Sequence, residues 1–122
     1  MAVTFESTSG TMTSYKNTSK VGQVTGVPLH DISTTTYIGR YLNGNLWIGD
    51  IDEAAIWDVA LDENEIVDLG SLENDMDATL DRGSYGSSGS LVGYWKMNEG
   101  EGNFLSDASG NGNTGNITFA EW

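Results

Sequence analysis

The chain has 122 residues, enough for one small domain, and carries 18 acidic against 5 basic side chains, a formal net charge of −13. That balance excludes nucleic acid as a partner and argues against anionic membrane surfaces, because phosphates are held by Lys and Arg. Cysteine is absent, so disulfides and thiolate metal sites are excluded as well. The acid excess suits a protein kept soluble at high copy number or one that binds cations. No segment approaches the apolar length of a membrane span. Sixteen glycines, many Ser and Thr and a single proline, Pro28, point to an all-β protein rich in turns.

In chain order, Val3-Thr4-Phe5 alternates apolar and polar as a half-buried strand should, and it follows Met1 with no signal segment before it. This leaves export by other means, release on a particle such as a virion, or a place within a longer product. Thr11 to Tyr15 is a second strand, Lys16 to Lys20 a turn, and Val21 to Val24 its hairpin partner. A loop around Pro28 leads to a strand at Thr35 to Ile38. Asn43-Gly44, between Tyr41-Leu42 and Leu46-Trp47-Ile48, predicts a tight hairpin, since both central residues must tolerate positive φ. Ile48 and Ile51 are an odd number apart, so the run from Leu46 to Trp57 needs a bulge near Gly49-Asp50. Asp62 as cap and Glu65 as its partner form a capping box for a helix over Glu63 to Leu69. Leu61 and Ile66 are spaced for a hydrophobic staple, and Gly70 for a left-handed C-terminus. Ser71 to Ser90 reads as a solvated, mobile acidic and Gly/Ser linker. Leu91 to Trp95 begins a new strand, Asp107 to Gly115 is a Gly/Asn turn, and Ile117 to Phe119 a final strand.

Two stretches carry a family likeness. The first is Tyr37-Ile38-Gly39-Arg40, then Gly49 to Trp57, then Ala60-Leu61 and the capped helix. The second is Leu91 to Gly102, followed by Asp107-Ala108-Ser109-Gly110-Asn111-Gly112-Asn113-Thr114-Gly115. They resemble the closing and the opening motifs, respectively, of laminin-G-like domains in the concanavalin-A-like lectin/glucanase superfamily. The resemblance implies an all-β jelly-roll β-sandwich with one short helix. Because the closing motif precedes the opening one, it also implies a partial or permuted unit. On that reading residues 1–70 are a C-terminal-type half-sandwich, 71–90 the linker and 91–122 the opening strand and turn. First and last strands are neighbours in the family, so Trp57 and Trp95 are expected on adjacent strands and mainly in the core.

Candidate site residues divide by chemistry. The resemblance implies a structural calcium at Asp52 with carbonyls near Asn98. Asp107, followed by a Gly/Asn turn that presents carboxylate and carbonyl oxygens, is a second candidate ligand; the alternative is that Asp52 and Asp107 only bond their own turns. A glycosidase of the superfamily would need paired carboxylates in a Glu-x-Asp-x-x-Glu pattern. Glu73-x-Asp75 is the nearest start, but Ala78 stands where the second Glu belongs. His30, the lone histidine, sits in a loop beside Asp31 and has no triad around it. Trp47 and Tyr41 are the aromatic candidates for stacking on sugars. Asn17-Thr18-Ser19 and Asn116-Ile117-Thr118 match the N-glycosylation pattern. Leu91, Trp95 and Met97 on one face, with Val92 and Tyr94 on the other, make an apolar strand suited to donation into a neighbour.

The expected function is therefore a non-catalytic structural or adhesion subunit of an extracellular fibre or viral particle. It would assemble with itself or like domains by strand or sheet complementation and be displayed outside the cell, on a cell surface or on a virion. A carbohydrate-binding lectin-like module is the alternative, and a glycoside hydrolase fragment ranks last.

Overall fold

The computed structural model describes residues 1–28, 35–41, 45–71, 76–118 and 120–122. Three strands, β1 (Ala2–Glu6), β2 (Thr11–Lys16) and β3 (Ser19–Val24), form an antiparallel sheet in that order. Asn17 and Thr18 join β2 to β3 with φ of 49° and 64°, the two positive values that a two-residue hairpin turn requires. The expected Lys16–Lys20 turn is thus tighter than it reads. Two-residue strands β4 (Arg40–Tyr41) and β5 (Asn45–Leu46) pair antiparallel, flanking the expected Asn43-Gly44 turn, which lies outside the described residues. Thr35 to Ile38 is not a strand; pairing begins only at Arg40.

The run toward Trp57 does not hold together as one bulged strand. Residues 47–53 leave the ladder, with Gly49 at φ 135° and Glu53 at φ 51°, and strand geometry resumes in β6 (Ala54–Trp57). Helix α1 (Glu63–Gly70) starts as predicted. The Asp62 carboxylate accepts the Asn64 and Glu65 N–H groups, and the Glu65 carboxylate accepts the Asp62 N–H. Its end differs. Gly70 stays within the helix and Ser71 closes it in right-handed geometry. The glycine is needed for space instead, since a Cβ there would stand 2.7 Å from Thr18 Cγ2 in the β2–β3 turn.

Strand β7 (Leu91–Trp95) pairs antiparallel with β6, as the family motif implies, and the short pair β8 (Phe104–Leu105) and β9 (Gly115–Asn116) follows. Ile117 and Thr118 lie beyond that pair, and Phe119 is outside the described residues. One core gathers Tyr15 of β2 with Leu61, Ile66 and Leu69 around α1, which places the staple pair together, and adds Tyr85. A second gathers Ala78, Leu91 and Tyr94, and Trp57 and Met76 pack against both.

The segment expected to be a solvated linker is therefore largely a strap built into the core. Tyr85 is 1% exposed and Ala78 fully buried. Gly83 at φ 56° allows Arg82 and Tyr85 to exchange backbone hydrogen bonds of 2.9 Å, a tight turn that swings the ring inward. The helix holds the strap by side chains. Asp68 accepts the Ser84 N–H, and Glu65 accepts the Ser87 hydroxyl at 2.6 Å and the Gly86 N–H at 3.2 Å.

Candidate functional site

The opening strand is fixed on both edges. Along one, β6 pairs with it, and the register slips between Ile56 and Trp57 so that Trp57 faces Leu91 and Ile56 faces Gly93. Val92 is the extra residue of that bulge. A bulge resets the alternation of side chains, so Leu91 and Tyr94 share one buried face rather than opposing ones. The apolar two-faced strand expected for donation is corrected accordingly: Leu91 and Tyr94 belong to the chain's own core. Trp95 is half-buried over Gly93, and Met97 at φ 55° lies past the strand's end. Val92 alone of the five is exposed.

Along its other edge the 107–113 turn caps β7 with side chains. The Asn111 amide donates to the Leu91 carbonyl at 2.7 Å, and the Asn113 amide to the Val92 carbonyl at 2.7 Å. Ala108 N–H bonds the Tyr94 carbonyl at 2.7 Å, and the Trp95 indole N–H bonds the Asn113 carbonyl at 2.8 Å. At the centre, the Asp107 carboxylate accepts three backbone N–H groups, from Tyr94 at 3.0 Å, Ser109 at 2.9 Å and Asn113 at 2.8 Å. Partial desolvation opposes ionisation, but the donors from Ser109, Tyr94 and Asn113 outweigh it and hold the group at about 2.

The Asp107 carboxylate thus bonds its own turn and the strand beside it through three backbone N–H groups. Asp52 is exposed, and its Oδ1 accepts the Glu53 N–H at 3.1 Å. Asn98 is exposed in the loop after β7. Among the described residues no three His, Asp or Glu side chains are grouped to hold a metal.

The remaining carboxylates near the core have structural partners. Glu53, on the positive-φ turn before β6, accepts a hydrogen bond from the Tyr94 hydroxyl, which also lies 2.8 Å from the Met76 carbonyl. Burial pushes the Tyr94 phenol well above its ordinary value, and the Glu53 carboxylate adds to the shift. Lys96 reaches Asp77 at 3.4 Å and lies over the Tyr94 ring. The Tyr85 hydroxyl donates to the Ala78 carbonyl at 2.7 Å and accepts the Trp57 indole N–H at 2.9 Å. Ala78 is thus a core position with an engaged carbonyl. Glu73, Asp75, His30 and Asp31 lie outside the described residues.

What remains for recognition is exposed. Trp47, next to β5, is 59% exposed; the Tyr41 side chain lies outside the described residues. Asn17 and Asn116 are both exposed. Among the described residues two apolar surfaces are uncovered, the first of which sequence reasoning missed. One is the outer face of β1–β3, with Val3, Met12 and Val24 exposed beside the half-buried Phe5. The other lies on the residues flanking β4 and β5, where Tyr37, Trp47 and Ile48 are exposed. The register that pairs Phe5 with Met12 and Met12 with Val24 carries the signal for the first, since the same strands turn Tyr15 inward.

A laminin-G family model, described as concanavalin A-like lectin/glucanases superfamily, matches residues 1–67. The chain belongs to this superfamily. The match spans more than half of the sequence and covers β1 through most of α1, and the antiparallel strands with one short helix agree with it. This laminin-G-like chain also places its opening motif, beyond the matched residues, against the closing strand β6. Laminin-G-like domains are generally non-catalytic and typically extracellular. Among the described residues, no helix is long and apolar enough to cross a membrane. No curated protein and no solved structure matches the chain.

Proposed function

We propose that this laminin-G-like chain is a non-catalytic structural or adhesion subunit, outside the cell or on a virion, that works by packing against like domains. One observation carries the reading. The β1–β3 sheet buries Tyr15 against α1 on one side and leaves Val3, Met12 and Val24 uncovered on the other. A sandwich covers both of its inner faces with a second sheet, and a partner sheet is the natural cover. Packing of sheet faces fits better than donation of β7, whose two edges are already engaged. Sedimentation velocity and electron microscopy of the pure chain test the reading: defined oligomers or filaments support it, and a monomer at all accessible concentrations overturns it.

A second reading, carbohydrate binding, rests on the exposed Trp47 ring. Glycan-array binding lost in Trp47→Ala is its test. Calcium enters either reading at Asp52 with carbonyls near Asn98, on the family resemblance, or at Asp107 as the second candidate. Equal thermal melts with calcium and with chelator would remove it. Catalysis is the least supported, since Glu53 is tied to Tyr94 and Asp52 to its own turn.

A further inference from the structure

The bulge in β7 sets a particular demand on the turn beside it. In a regular strand successive carbonyls point to opposite edges. Here the carbonyls of two consecutive residues, Leu91 and Val92, both accept hydrogen bonds from the 107–113 turn. A backbone N–H carries one hydrogen, whereas a side-chain amide carries two. Asn111 Nδ2 donates to the Leu91 carbonyl at 2.7 Å and to the Val92 carbonyl at 3.2 Å, and lies 3.2 Å from Ser109 Oγ. One asparagine thus spans both carbonyls.

The same residue opens an Asn-Gly pair. Gly112, at φ 78°, has no side chain to shield its nitrogen, and a Cβ there would meet nothing within 4 Å. Among the described residues no acceptor holds the Gly112 N–H. Asn111 and Gly112 are both exposed. The Gly112 nitrogen and the Asn111 side-chain carbonyl carbon, Cγ, are therefore open to solvent base and to each other, as nucleophile and electrophile of a five-membered ring. Every other described asparagine precedes a residue with a side chain. Asn43-Gly44, the second such pair in the sequence, lies outside the described residues.

We propose that Asn111 is a site of spontaneous deamidation in the folded chain, and that its conversion releases the 107–113 turn from β7. Hydroxide takes the proton from the Gly112 nitrogen, which attacks Cγ of Asn111. The Cγ–Nδ2 bond breaks, and Nδ2 takes a proton from water and leaves as ammonia. Water then opens the succinimide, at Cγ to give aspartate or at the main-chain carbonyl carbon to give isoaspartate. Either product sets a carboxylate against two carbonyls in place of a donor. The turn has no hydrogens to offer it. The Tyr94, Ser109 and Asn113 N–H groups go to Asp107, and the N–H of residue 111 goes to Ser109 Oγ. Isoaspartate also lengthens the main chain by one carbon before Gly112. That displaces Asn113, whose N–H and side-chain amide hold Asp107 and Val92. In the intact turn the bonds from Nδ2 to β7 keep the side chain in place, so the ring closes more slowly than in an unfolded chain.

The experiment ages the full chain in mildly alkaline buffer, with a second sample in urea, and maps both by peptide mass. The native sample is expected to gain one mass unit at Asn111, mostly as isoaspartate, and the urea sample to gain it sooner. Asn111→Gln, whose ring would need six members, should show no gain at that position. The converted chain separates from the fresh one by its added negative charge. It should melt about 3–6 °C lower, as expected for the loss of one buried-edge donor in a chain of this size. Its Tyr94 and Ala108 amides, which join β7 to the turn, should exchange hydrogen faster. Asn111→Asp gives the same comparison without ageing, and the aged wild type serves if that variant does not fold. A native sample unchanged at Asn111 would overturn the site. Conversion as fast in the native sample as in urea would overturn the hold of β7 on the side chain. Equal melts and equal exchange in converted and fresh chains would overturn the release.

Discussion

Asp107→Asn should destabilise the chain through its backbone, independently of calcium. The carboxylate binds three N–H groups that join β7 to the 107–113 turn, and an amide in its place turns a donor toward at least one of them. The native value of about 2 against an ordinary 3.8 corresponds to a ceiling of about 2.5 kcal/mol. The group is largely open to water, so screening reduces this to about 1 kcal/mol, or about 3–6 °C in Tm for a chain of this size. The native pKa is depressed, so the contribution is present above the unfolded value near 3.8 and is lost as pH falls through about 2. Melts of both proteins by Trp fluorescence should therefore differ by a constant amount from pH 7 to about pH 5 and converge toward pH 2. Calcium and chelator should leave the difference unchanged. Equal melts at pH 7, a gap that persists undiminished to pH 2, or a gap that appears only with calcium would each refute the reasoning.

Tyr85→Phe should cost about 2–3 kcal/mol, because it strands the buried Ala78 carbonyl and the Trp57 indole N–H together, and chemical denaturation would read it as a lower midpoint. Gly70→Ala, which raises helix propensity by about 1 kcal/mol elsewhere, should instead lower Tm here, and Thr18→Ser should restore it by removing the methyl that the new Cβ meets. Glu65→Ala should lose more stability than the usual cap deletion of about 1 kcal/mol, since the same side chain holds the strap at Gly86 and Ser87; faster proteolysis within residues 76–90 would report the release.

The legible parts of the fold are those in which a local rule acts alone. Asp62 and Glu65 specify a helix start from four consecutive residues, and the structure makes both of their hydrogen bonds. The neighbouring β6 and β7, by contrast, are legible only through the family motif, because strand pairing across 33 intervening residues leaves no local trace. The strap misleads because Gly and Ser permit either a mobile or a tightly turned backbone. The signal that separates the two is Tyr85: a lone aromatic in such a run has about 150–250 Å² to bury and draws its turn into the core. At β7 a single bulge residue, Val92, defeats the period of two and moves Leu91 to the face of Tyr94. For the candidate site, Asp107 was legible as an important carboxylate. Its bonds to Tyr94 and Asn113 were not, because they depend on how the turn packs beside β7.

The acid excess follows from the same shortage of regular structure. Among the described residues nine carboxylates accept a backbone N–H: Glu6, Asp52, Asp62, Glu65, Asp68, Asp77, Asp81, Glu99 and Asp107. Their donors lie mostly in turns and at the start of α1, where a backbone N–H has no ladder or helix partner, and a nearby Asp or Glu takes the place of one. Donors from Thr8, Thr79, Ser88 and Ser106 hold Glu6, Asp77, Asp81 and Glu99 below the usual carboxylate range. A carboxylate bonded in this way needs no metal to explain its presence. Such side chains are concentrated after residue 28, where the strands are short, and are few in the three-stranded sheet, where ladder bonds satisfy the backbone. The charge asymmetry between residues 1–28 and the rest thus follows from how each part satisfies its own backbone.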